Sequence, residues 1–104
     1  MNPRVGAYEP FLKEAIGERL ALVRLALGYR TQAAIVRALN EIEPSLTPQH
    51  WNMWESGRQR IGVDSALLLV RKFNVSLDWI YRGEKDGLPH KLARAIEALE
   101  AARE

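Results

Sequence analysis

Apolar residues recur at helical spacing along most of the chain, beginning near Phe11. A first stripe has intervals of three or four residues, which is typical of one face of an amphipathic helix. It consists of Leu12, Ile16, Leu20, Val23 and Leu27. Gly28 follows directly and predicts the end of this helix, because glycine adopts the left-handed conformation that closes many helices.

Capping residues mark a second helix. Thr31 offers a hydroxyl N-cap, and Leu39 ends the apolar pattern. Asn40 is predicted to be the C-cap, since asparagine tolerates left-handed backbone angles. The inner face should carry Ala34, Ile35, Ala38 and Leu39.

Thr47 and Pro48 predict the start of a third helix. A hydroxyl N-cap followed by proline at the first helical position is a favourable combination. This helix should run to about Ser56 and stop at Gly57.

Three more helical segments complete the pattern. One is predicted from Val63 or Asp64 onward and carries Leu67, Val70 and Phe73. Another runs from Leu77 to Arg82, between a Ser76 cap and Gly83. The last follows Pro89, with Leu92, Ile96 and Leu99 on one stripe. Strand-like alternation is absent from the sequence. The prediction is therefore an all-α fold, a compact bundle of about five short helices with an extra C-terminal helix. Residues 1–10 should form an N-terminal arm, 11–87 the main domain, and 88–104 the added helix.

The third predicted helix has two chemically different sides. With successive residues about 100° apart, Trp51 and Trp54 share one side with Glu55. The two indoles are interpreted as core anchors, because platforms for stacking bases would be exposed along a basic groove. The opposite side carries Gln49, Asn52, Met53 and Ser56.

The outer side of this helix is uncharged and rich in hydrogen-bonding groups. Gln and Asn pair with adenine edges in the DNA major groove, and a thioether can contact a thymine methyl. The alternative is an ordinary solvated polar face. Such faces usually favour Lys and Glu, which are missing from these four positions, so base readout is the preferred interpretation.

Composition narrows the function further. The chain has 104 residues, a net charge of only +2 and no cysteines, which excludes disulfides, thiolate zinc sites and cysteine nucleophiles. His50 and His90 are far apart in the sequence, and no phosphate-binding glycine loop or catalytic triad is present. We therefore expect no enzyme activity, metal or cofactor. Without a long apolar run or export signal, we expect no membrane association and a cytoplasmic location.

Four motifs occur in a characteristic order: Leu27-Gly28, Thr31-Gln-Ala-Ala-Ile35, Trp51-Asn-Met-Trp-Glu-Ser-Gly-Arg58 and Asn74-Val-Ser-Leu-Asp-Trp-Ile-Tyr-Arg-Gly83. Together they resemble the lambda-repressor-like helix-turn-helix family, the xenobiotic-response-element type of bacterial and phage regulators. The resemblance covers about residues 11–83. It implies that residues 47–60 form the recognition helix and the loop after it.

The resemblance also implies roles for single residues. Gln32 would bind a phosphate and brace Gln49, which would read a base, as would Met53. Arg24 and Glu55 would form a structural ion pair that positions the third helix. Phosphate contacts are implied for the start of the second helix and for the loop, at Thr31, Gln32, Ser56, Arg58 and Arg60.

One segment departs from the family pattern. The connection between Asn40 and Thr47 is longer than the family's compact turn and contains Glu41 and Glu43, which would repel phosphate. Either the turn bulges away from DNA, or the second helix extends, or the angle between the helices differs. We favour the outward bulge because Pro44 suits a turn.

The preferred function is a homodimeric, sequence-specific regulator of transcription, a repressor that binds a pseudo-palindromic operator on double-stranded DNA. The alternative is an antitoxin or adaptor that uses the same fold for protein interaction. The C-terminal helix could cap the core, form a dimer contact or bind a protein partner, and the sequence leaves these options open.

Overall fold

The computed structural model describes residues 8–103, which form six α-helices and one short 3-10 helix without any strand. The 3-10 helix is Glu9–Phe11, and the α-helices are α1 Lys13–Ala26, α2 Gln32–Leu39, α3 Pro48–Glu55, α4 Val63–Phe73, α5 Leu77–Arg82 and α6 His90–Ala102. The all-α prediction is confirmed. Most of the predicted N-terminal arm lies outside the described residues, and its end, Glu9 and Pro10, belongs to the 3-10 helix.

Side-chain hydroxyls start three of the helices, as predicted. Thr31 accepts a hydrogen bond from the Ala34 amide at 3.1 Å, and Ser76 accepts one from the Trp79 amide at 3.0 Å. Thr47 caps α3 in the same way. Glycines with positive φ follow α1, α3 and α5: Gly28 (92°), Gly57 (78°) and Gly83 (75°). The capping residues thus define both ends of the segment that contains α3.

Asn40 is the C-cap of α2, as predicted, but it does not adopt the left-handed conformation on which that prediction relied. Its φ is −63°, and its side chain instead donates to the carbonyls of Glu43 at 3.0 Å and Leu46 at 2.9 Å. Asn40 therefore organises the long connection through its amide group rather than through its backbone angles. Leu46 is buried there, and Glu41 forms an ion pair with Lys72 of α4. The α2 helix does not extend, because it ends at Leu39.

Of the apolar residues that mark α4 in the sequence, not all face the core. Leu67 is 45% exposed, whereas Ala66 and Leu69 are fully buried. The apolar pattern of this helix is compatible with two neighbouring stripes, and packing on α2 and α5 selects the one that contains Ala66, Leu69 and the partly buried Phe73.

The C-terminal helix α6 packs along α1. Ile96 is fully buried, and Leu88 and Leu92 are nearly so. On the outer side, Lys85 pairs with Glu100 at 2.7 Å. The segment that the sequence set apart as 88–104 is thus part of the same hydrophobic core as the helices before it.

No helix within the described residues has both the length and the apolar character that crossing a membrane requires.

Candidate nucleic-acid interface

The two sides of α3 differ in exposure. Trp51 is fully buried and Trp54 is 7% exposed, with their rings 6.0 Å apart in an edge-to-face arrangement. On the other side, Gln49, Asn52 and Ser56 are exposed and Met53 is partly buried. The four side chains assigned to base readout therefore share one accessible surface, on which Met53 is the least exposed.

A capping box holds the first turn of α3. The Thr47 hydroxyl accepts from the His50 amide at 3.2 Å, and His50 Nδ1 accepts in return from the Thr47 amide at 3.1 Å. The imidazole ring also lies parallel to Trp54, with centroids 6.5 Å apart. The sequence reasoning assigned no role to His50. A hydrogen-bond acceptor three residues after a threonine cap is the signal that could have found it.

The C-terminal end of α3 is fixed by an ion pair. Arg24 of α1 donates from Nη2 and Nε to the two carboxylate oxygens of Glu55, at 2.8 and 3.0 Å, and both side chains are only 11% exposed. The Trp51 indole nitrogen donates to the same carboxylate. Arg24 further donates to the carbonyls of Tyr29 and Arg30 at 3.0 and 2.8 Å. One guanidinium group thus joins α1, the connection to α2, and α3.

This arrangement keeps Glu55 ionised. Burial alone would raise the pKa of its carboxyl group. The hydrogen bonds from Arg24 and Trp51 and the positive charge of Arg24 together outweigh burial, so the pKa of Glu55 is lowered. The carboxylate is therefore a structural group with fixed charge.

A glycine allows α1 to approach the end of α3 closely. A Cβ atom added at Gly17 would lie 2.5 Å from the Glu55 carbonyl oxygen and 2.8 Å from that of Trp54. Only glycine fits such an approach without a shift of the backbone. The sequence reasoning missed this position, although a glycine next to the inward stripe of a helix usually has a packing reason.

The polar contact between α2 and α3 differs from the one implied by the resemblance. Gln32 Oε1 accepts from Asn52 Nδ2 at 3.1 Å, so Gln32 braces Asn52 rather than Gln49. The Gln32 side chain also contributes to the lowered pKa of Glu55. This contact leaves Gln49 free of the brace and orients the Asn52 amide group.

The loop after α3 is held at several points. The amides of Arg58 and Gln59 both donate to the Met53 carbonyl, at 3.0 and 3.1 Å. Tyr81 donates its hydroxyl to the Ile61 carbonyl at 2.8 Å, and burial raises the pKa of this phenol. The loop therefore has a defined path from α3 to α4.

The two loop arginines have different surroundings. Arg58 is exposed. Arg60 donates from Nε to the Phe11 carbonyl at 3.0 Å, and its guanidinium carbon lies 4.3 Å from the centre of the Phe11 ring. Arg60 is thus turned toward the protein, and Arg58 is the arginine of this loop that is open to solvent. Thr31, a phosphate ligand implied at the start of α2, is exposed but uses its hydroxyl as the N-cap of that helix.

Among residues 8–103 there is no group of three or more His, Asp or Glu side chains that could hold a metal ion. The outer surface of α3 consists of amide, hydroxyl and thioether groups, of which the amides and the hydroxyl can donate and accept hydrogen bonds.

The sequence matches no protein-family model, no curated protein and no solved structure. The function is accordingly argued from the geometry of α3 and its supports.

Proposed function

We propose that the protein binds double-stranded DNA in a sequence-specific way, with α3 as the recognition helix of a lambda-repressor-like helix-turn-helix. The observation that carries this proposal is the surface of α3. One side is anchored by two buried tryptophans, and the other presents the uncharged side chains of Gln49, Asn52, Met53 and Ser56. An α-helix of this kind fits the major groove, where base edges offer matching donors and acceptors.

The supports of α3 suit a helix whose position must be accurate. The Arg24–Glu55 ion pair, the Gly17 approach and the capping box at Thr47 fix both of its ends. Base readout requires such a rigid frame, because hydrogen bonds to base edges tolerate little displacement.

Phosphate contacts would come from the edges of this surface. Arg58 lies exposed in the loop directly after α3. The first turn of α2, which begins next to Thr31 and Gln32, has amide groups without intrahelical acceptors, as helix starts do. Helix N-termini and arginines are common partners of DNA phosphates. Arg60 would support the loop through Phe11 and reach the backbone only with its remaining guanidinium nitrogens.

The small size of the α3 surface is the reason for proposing a dimer. One short helix contacts only a few base pairs, so a useful operator needs two copies on successive major grooves, about 34 Å apart. We therefore propose a homodimer on a pseudo-palindromic operator, acting as a repressor by occupying the promoter.

The alternative, an antitoxin or adaptor, relied on the C-terminal helix and the acidic turn. Leu92 and Ile96 of α6 are buried against the chain's own core, and Glu41 of the turn is paired with Lys72. The apolar stripe of α6 is therefore not free for a partner, and the DNA-binding proposal is preferred because it also accounts for the exposed polar side of α3.

Selection from a random pool of duplex DNA tests the proposal. We expect enrichment of one sequence with two related half-sites. Affinity for that sequence should fall by about 10³–10⁵ between about 50 and 200 mM salt if the dimer contacts roughly 6–10 phosphates. If no sequence outcompetes random duplex DNA, the proposed function is wrong.

A further inference from the structure

The outer side of α4 carries an apolar surface that the core does not use. Val63 is 55% exposed and Leu67 is 45% exposed, and both lie on the same side of the helix because they are four residues apart. Arg71, another four residues on, and Asp64 are also exposed. We call these four residues the α4 face. It directly follows the loop that joins α4 to the recognition helix.

The charges of the α4 face have no ion-pair partners among the described residues. Neither Asp64 nor Arg71 belongs to an ion pair among residues 8–103, although five such contacts exist elsewhere in that range. Asp64 lies near the start of the helix, Arg71 lies near its end, and the exposed apolar residues are Val63 and Leu67. If two copies of the helix packed antiparallel, each acid would therefore lie near the base of the other copy.

We propose that the α4 face binds the α4 face of a second copy of this chain, with the two helices antiparallel and a two-fold axis near Leu67. In that arrangement each Leu67 meets its equivalent. Arg71 lies four residues beyond the axis and therefore meets the partner's Val63 and its neighbour, the partner's Asp64. A two-fold interface requires such self-complementarity, and one contact generates two ion pairs.

This pairing extends the proposed function. It rests on that function in one respect, namely that an operator with two half-sites requires two recognition helices. Residues 56–62 connect α3 to α4 along a defined path. A two-fold axis at α4 would therefore hold two copies of α3 at a fixed spacing, as the two half-sites of an operator require.

The size of the α4 face sets the strength of the association. Two apolar side chains per copy cover far less than the roughly 800 Å² per partner of a stable dimer. The free protein should accordingly be mostly monomeric at micromolar concentration, and DNA should promote pairing by bringing two copies together.

Engineered cysteines test this contact, because the natural chain contains no cysteine. Leu67→Cys places the single thiol at the proposed axis, where two equivalent residues could reach disulfide distance. Leu25→Cys is the matched control, since Leu25 is a comparably exposed leucine (41%) on α1. With mild oxidant and a few hundred micromolar protein without DNA, we expect Leu67→Cys to form covalent dimers at least about ten times faster than Leu25→Cys. Equal rates, or a faster reaction at Leu25→Cys, would overturn the proposal.

A charge exchange separates pairing from general effects on folding. In the Leu67→Cys background, Asp64→Arg or Arg71→Asp alone should slow cross-linking several-fold, because like charges would then face each other. The two changes together should restore the rate by re-forming the pairs in the opposite sense. Failure of the double variant to recover, with thermal unfolding showing that it is folded, would contradict the antiparallel register.

The cross-linking experiment measures pairing of the α4 face in the absence of DNA, so its result is independent of the proposed function. If Leu67→Cys dimers form but selection yields no preferred sequence, the α4 contact stands and the proposed function fails. If selection succeeds but cross-linking does not favour Leu67→Cys, the function stands and the α4 contact is wrong.

Discussion

A Cβ atom at Gly17 of α1 would lie 2.5 Å from the carbonyl oxygen of Glu55, the last residue of α3. The two backbones are thus in closer contact than any residue other than glycine allows. The Arg24–Glu55 ion pair lies on the same two helices. Together these contacts make α1 the support that sets the position of the proposed recognition helix.

Gly17→Ala should therefore destabilise the protein, although alanine is the better helix former. The added methyl group would have to displace α3, and overpacking of this kind costs about 1–3 kcal/mol. Gly62→Ala is the matched control, because Gly62 has a φ of −75° and no atoms within 4 Å of the added Cβ. Chemical unfolding of both variants measures the difference. Similar stabilities for the two would show that α1 and α3 separate without cost.

Removal of one partner of the Arg24–Glu55 pair should also be costly. In the natural protein the side chains of Arg24 and Glu55 are each only 11% exposed. Arg24→Met would therefore leave the Glu55 carboxylate largely buried without its positive partner. Breaking a buried pair costs about 3–5 kcal/mol, and we expect the lower end because one edge of the pair reaches the surface. Lys72→Met, which removes an exposed ion pair with Glu41, should cost no more than ~1 kcal/mol. Equal losses of unfolding free energy in the two variants would contradict the structural role of Arg24.

The lowered pKa of Glu55 predicts a dependence of stability on acid. In the unfolded chain this carboxyl group titrates near ~4.3, whereas in the native protein it holds its proton less tightly. Its stabilising contribution is fully present above that value and is lost as the pH falls through the native pKa. The difference in unfolding free energy between the natural protein and Glu55→Gln should therefore shrink from pH 7 to pH 3. A constant difference would mean that ionisation of Glu55 does not stabilise the fold.

Local signals predicted most of the helical framework. Caps at Thr31, Thr47 and Ser76 and glycines after three helices act within a few residues, so the sequence alone reveals them. The outward side of α3 could also be predicted, because two large indoles on the opposite side fix which way the helix faces the core.

Long-range packing explains the misses. The face that α4 turns inward depends on α2 and α5, and spacing alone could not distinguish Leu67 from Leu69. The resemblance implied Gln49 as the partner of Gln32, but the partner is Asn52, and this difference depends on the angle between α2 and α3. The long connection after Asn40 helps to set that angle, and its folded path rests on side-chain bonds that no local pattern signals.

Two tryptophans offer a comparison of satisfied and unsatisfied indole nitrogens. Trp51 donates to Glu55, whereas Trp79 Nε1 is buried without a hydrogen-bond partner among the described residues. Trp51→Phe removes a bond to a charged group, worth about 1.5–3 kcal/mol, in addition to packing. Trp79→Phe removes an unpaired donor, so its packing loss should be partly offset. Chemical unfolding should therefore show the larger loss for Trp51→Phe, and the reverse order would contradict this account.

The division of labour on the proposed DNA surface predicts different behaviour for Gln49 and Arg58. Gln49 is exposed on α3 and free of the Gln32 brace, so Gln49→Ala should relax the preference at one base position and cost ~1–3 kcal/mol on the selected site. Arg58 lies in the loop after α3, so Arg58→Ala should weaken binding to all sequences alike and reduce the slope of affinity against salt by about one.

Gln59→Ala is the matched control for both variants, because Gln59 is an exposed, uncharged residue of the same loop. It should change neither the base preference nor the salt slope. Binding of the three variants to selected and random duplexes, measured over a range of salt concentrations, distinguishes the roles. If Gln49→Ala lost the same factor on both duplexes, Gln49 would act on the phosphate backbone or on the fold, and base readout would fall to Asn52, Met53 and Ser56.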